Sequence, residues 1–126
     1  MDRIVFLLLA GATLALTQGW EVPDPERTKK NPVEATPKAV EKGRALFEKQ
    51  CVMCHGKDMK AQCPAAAMFQ VQPPDLSTSE ARARLTDGEV FFKITVGKNP
   101  MPAKKSKLSE EERWKGVLYL RNLRAD

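Results

Sequence analysis

Cys51-Val52-Met53-Cys54-His55 is the stretch on which the reading of this chain turns. Two thiols three residues apart, followed at once by an imidazole, form the C-x-x-C-H pattern of covalent haem attachment. The spacing has a chemical reason: each sulfur can add to one of two vinyl groups on the same edge of a porphyrin, and the next residue then reaches under the ring to the iron. Cys51 and Cys54 are therefore expected to hold one haem c through thioethers, with His55 as the proximal ligand of its iron.

Other uses of the same residues fit less well. A thioredoxin-like dithiol belongs at the start of a helix that follows a strand. Here the motif closes a helical stretch, and no run of the chain alternates well enough to make a sheet. A structural zinc site could draw on Cys51, Cys54, His55 and Cys63, the only cysteines and histidine present. Adjacent Cys54 and His55 would then have to bend onto one tetrahedral ion. With two thiols committed to haem, Cys63 has no partner in the chain and reads as a buried or tolerated thiol, an intermolecular disulfide or oxidation site being the lesser alternative.

Because His55 is the sole histidine, the sixth ligand of the iron has to be a methionine, a lysine, water or nothing. Met101 is the best candidate. It sits in Gly97-Lys98-Asn99-Pro100-Met101-Pro102, where prolines on both sides stiffen the loop that would hold a weak thioether on the metal. Met53 lies inside the motif, Met59 follows His55 by four residues, and Met68 reads as a packing residue. An iron with both axial positions filled has no open site for a substrate, so the expectation is electron transfer and no enzyme activity.

Working outward, Pro37–Gln50 is expected to be a helix that delivers Cys51, with Thr36 as N-cap and Val40, Gly43 and Phe47 along one face. A second helix opens at the Thr86-x-x-Glu89 capping box, carries Val90, Phe91 and Ile94, and stops at Gly97. A third opens at Ser109-x-x-Glu112 and runs to about Leu123 with Trp114, Val117, Leu118 and Leu120 as its apolar face. Between them residues 56–84 read as irregular, with a turn or two of helix at Ala65–Phe69. The fold class is all-α: three to four helices around one large apolar group, which a core this small needs.

The chain has 126 residues, 42% of them hydrophobic and 29% charged, which suits one globular domain. Residues 4–16 carry no charge, too short a run to span a bilayer but the length of a secretory leader. A signal peptide is therefore expected over residues 1–19, its cleavage point unfixed, then a Pro-rich extended lead-in over 20–36, then the domain proper over 37–126. Export implies a periplasmic location and no membrane span after cleavage. The net charge of +5 suggests an acidic partner. Nothing provides for nucleic acid: no binding motif is present, and one Tyr and two Trp leave few stacking platforms.

These pieces together resemble the class I, mono-haem bacterial cytochromes c. The likeness rests on Gly43-Arg44-Ala45-Leu46-Phe47 before the haem motif and on Pro74-Asp75-Leu76. It continues through Gly97–Pro102 and the terminal Leu108–Glu112 and Tyr119–Leu123 segments. It covers about Ala39 to Leu123. The resemblance implies that the first and last helices cross, with Gly43 admitting an aromatic residue of the last helix, Tyr119 or Trp114. It also implies that Pro74 and Leu76 line the haem pocket and that the Met101 loop closes it. The role implied is that of a monomeric periplasmic carrier of single electrons between redox proteins. The alternative is a haem-bearing subunit of a larger respiratory or dehydrogenase complex. Lys93, Lys98, Lys104, Lys105 and Lys107 flank the Met101 loop and are candidates to steer an acidic docking surface.

Overall fold

A computed structural model describes residues 19–70 and 72–123. The expected leader lies outside them except for Gly19. Among the described residues seven helices follow one another: α1 (Asp24–Arg27), α2 (Pro37–Gln50), α3 (Val52–His55), α4 (Pro64–Ala67), α5 (Ser79–Ala83), α6 (Asp87–Val96) and α7 (Glu110–Arg121). Among the described residues there is no strand, only an isolated bridge between Lys98 and Met101.

The three long helices begin where the capping chemistry places them. Thr36 accepts from the Ala39 N–H, and both Thr86/Glu89 and Ser109/Glu112 form reciprocal capping boxes. Four short helices were less legible. The motif itself makes α3, a single turn continuing α2 after a break at Cys51. Residues 79–83, expected to be irregular, form α5 under a Thr78 cap. The lead-in is not extended throughout, because Asp24–Arg27 winds into α1.

Crossing of α2 and α7 is the main packing event. A Cβ added to Gly43 would lie 2.1 Å from the Lys115 carbonyl oxygen and 3.0 Å from Tyr119 Cβ, so only glycine lets these backbones meet. Tyr119, one of the two expected aromatics, takes that place, and its ring lies 5.4 Å from that of Phe47. Trp114 turns instead toward α6, stacked on Phe91 at 3.8 Å. Val117, fully buried, sits in the core with Phe47, Val90, Phe91, Trp114 and Leu120.

Candidate haem site

The free end of α2 and the single turn of α3 present Cys51 and His55 to a cavity of about 460 Å³. Its wall is mostly apolar: Leu46 and Phe47 from α2, Leu76 and Leu85 from the loops around α5, Val90 and Ile94 from α6, and Leu120 from α7. Met101, Pro74 and Leu76 also line it. Five of the six residues singled out from the sequence thus share one chamber, and the sixth, Cys54, stands half-buried in α3 one residue before His55.

Several tethers hold this wall. Gly97 ends α6 at φ +62°, and a Cβ there would come within 2.7 Å of the Met101 carbonyl oxygen, so the chain turns back tightly. Lys98 and Met101 then exchange backbone hydrogen bonds of 3.0 and 2.8 Å, and the Lys104 N–H donates to the Ile94 carbonyl at 2.9 Å. On the other side, buried Arg82 donates to the carbonyls of Leu76, Ser77 and Leu123, each at 2.9 Å. The Leu76 N–H donates in turn to the Met59 carbonyl. Met59 and Ala61 hold left-handed backbone at φ +62° and +57°, unusual for non-glycine residues and typical of constrained sites.

Electrostatics separates the possible chemistries. Burial pushes the Cys51 thiol up to about 11, well away from the depressed range of a dithiol nucleophile. Burial likewise lowers the pKa of His55, which favours the neutral, lone-pair-bearing imidazole. The Cys63 thiol lies 3.3 Å from the Cys54 carbonyl oxygen and 3.7 Å from that of Val52, a position that turns it toward backbone. Among the described residues, no three His, Cys, Asp or Glu side chains gather as a metal site, so the zinc alternative has no cluster to stand on.

The residues present fit a haem. Among the described residues buried His55 Nδ1 has no hydrogen-bond partner, and a Cβ placed on Gly116, in the wall formed by α7, would meet no atom within 4 Å. The chamber is apolar, of ligand-binding size, and carries thiol, imidazole and thioether in its lining.

A family model described as cytochrome c oxidase, cbb3-type, subunit III, matches residues 38–120. The chain belongs to this cytochrome c family. It is a mono-haem cytochrome of class I type, all-α, carrying covalently bound haem c with its iron. A chain of the Kuenenia stuttgartiensis reducing HAO-like protein complex is similar at TM-score 0.61 and 26% identity, over 71% of this cytochrome and 45% of that chain. This cytochrome therefore spans less than half of that relative. The KustC0563 c-type cytochrome matches at TM-score 0.54 and 25% identity, covering 63% of this chain and 93% of that one. Cytochrome cL of Methylophaga aminisulfidivorans shares the fold at TM-score 0.52 and 21% identity, over 69% and 57% of the respective chains. No curated protein matches the chain.

Two sequence expectations need correction. Lys104 is no surface cation: it is buried, with Nζ 3.4 Å from Gln50 Oε1 at the C-terminal end of α2, where its charge suits the helix dipole. Met68, read as a packing residue, is 85% exposed. Three further cavity residues are not marked as such by the sequence pattern: Met59, noted there only for its spacing from His55, Trp20 in the lead-in, and Arg113. Arg113 is buried, its guanidinium 5.2 Å from the Phe91 ring and donating at 2.7 Å to the Leu108 carbonyl.

Proposed function

We propose that this cytochrome is a periplasmic single-electron carrier whose haem is bonded to Cys51 and Cys54 and ligated axially by His55 and Met101. Bound haem supplies a one-electron ferric/ferrous couple. What the chain contributes is attachment, ligand choice and exclusion of water. The carrying observation is that one apolar cavity gathers Cys51, His55 and Met101 from separate elements of the fold.

Met59 is the rival thioether, since it also lines the cavity. It is almost wholly buried and belongs to the core cluster, which supports a packing role, whereas Met101 rests on a stiffened loop outside that cluster. Soft thioether ligation raises the reduction potential, and filled axial positions leave no room for substrate.

Lys98, Lys105 and Lys107 are exposed around the Met101 loop and form the remaining steering face for an acidic redox partner, one that salt would screen. Permanent docking in a larger complex is the second reading. It is favoured by exposed Met53 and Met68, which stand on or beside the packed α3–α4 pair, and by the relative found in an HAO-like complex.

The ligand assignment is tested by absorption of the ferric protein. Wild type and Met59→Leu are expected to show the weak far-red sulfur-to-iron charge-transfer band, and Met101→Ala to lose it. Retention of the band in Met101→Ala refutes the assignment.

A further inference from the structure

Trp20 lines the haem cavity although it belongs to the lead-in, ahead of residues 38–120 that the family model matches. The lead-in is fastened to the domain along its length. Val22 is buried. A Cβ on Gly88 would lie 2.1 Å from the Glu26 carbonyl oxygen, so α1 rests directly on the backbone of α6. The Thr86 hydroxyl donates to the Arg27 carbonyl at 2.7 Å, and the Arg27 guanidinium meets buried Glu89 at 3.2 Å. Farther on, the Asn31 amide donates to the Trp114 carbonyl at 3.0 Å.

These anchors make the segment a strap that crosses α6 and α7 and presents its first aromatic ring to the cavity mouth. There Lys93, another lining residue, holds its ammonium 5.5 Å from the centre of the Trp20 ring, within cation–π range. An indole at that position removes water from the edge of the chamber and keeps a cation beside it.

We propose that Trp20 is a haem-contacting residue, supplied by the strap, that seals the cavity and raises the reduction potential. This rests on the reading that the haem lies in this cavity. The physical basis is twofold. A drier pocket disfavours the form of the cofactor bearing the additional positive charge, the ferric one, and a positioned Lys93 acts in the same direction.

The test is the midpoint potential of the exported holoprotein as purified, by spectroelectrochemistry, for wild type, Trp20→Phe and Trp20→Ala, with covalent haem content measured in each. Trp20→Ala is expected to shift to lower potential, and Trp20→Phe, which keeps an apolar ring, to lie between it and wild type. Both should keep covalent haem, because neither touches an attachment residue. A covalently loaded Trp20→Ala with the wild-type midpoint overturns the proposal alone. A wild-type chain with no covalent haem overturns it together with the cavity reading.

Discussion

The crossing of α2 and α7 and the cavity beside it are built on opposite principles. At the crossing, protein meets protein: Gly43 on the Lys115 carbonyl, Phe47 on Tyr119, Val117 with no exposed surface. In the cavity, protein faces a chamber of about 460 Å³ whose lining residues His55 and Arg113 each hold a buried nitrogen, Nδ1 and Nε, with no hydrogen-bond partner among the described residues. The first region is complete in the chain's own atoms, and the second is shaped for a cofactor. The same helices serve both, for α7 turns Tyr119 to the crossing and Gly116 to the cavity.

Magnitudes say which region depends on the other. Without haem the apolar wall of this open chamber faces water, and each large apolar side chain left unburied forgoes about 1.5–3 kcal/mol. The whole stability of a small domain is only about 5–15 kcal/mol. The crossing is therefore not expected to stand by itself. A Cys51→Ala/Cys54→Ala chain made without haem should show no cooperative thermal transition by circular dichroism. A sharp transition in that chain would show the helix pair to be self-sufficient.

Gly43→Ala puts a methyl group against the Lys115 backbone, which cannot rotate away, and should cost the holoprotein about 3 kcal/mol. Its haem spectrum should stay that of wild type, because Gly43 does not line the cavity. Thermal melting followed at the Soret band and in the far ultraviolet checks both halves. Smaller still, Ser109→Ala removes the acceptor for the Glu112 N–H at the start of α7 and should cost about 1 kcal/mol in the same melt.

Legibility in the sequence divided along similar lines. Helices α2, α6 and α7 could be read because Thr36, Thr86 and Ser109 announce their starts and apolar spacing marks the buried faces. Helices α1 and α5 could not, since four or five residues are too few for periodicity, and Pro23 and Pro25 made the first look like punctuation. Of the site, the Cys51–His55 motif stands out by its fixed spacing, and Met101, which lines the same cavity, by the presence of a single histidine. Arg82, Trp20, Met59 and the inward turn of Lys104 do not stand out. Their placement follows from tertiary hydrogen bonds and packing between distant segments, such as Arg82 reaching Leu123, and local pattern carries no trace of these. Between the two candidate aromatics at Gly43, the choice likewise waited on the rotation of α7, which sends Tyr119 to the crossing and Trp114 to Phe91.

The bond between chain and porphyrin is measured directly by mass spectrometry of the purified protein after extraction with acidified acetone. The expected result is that the pigment stays with the protein and the peptide containing Cys51 and Cys54 carries one added haem mass. Pigment in the solvent layer, or that peptide unmodified, would contradict it.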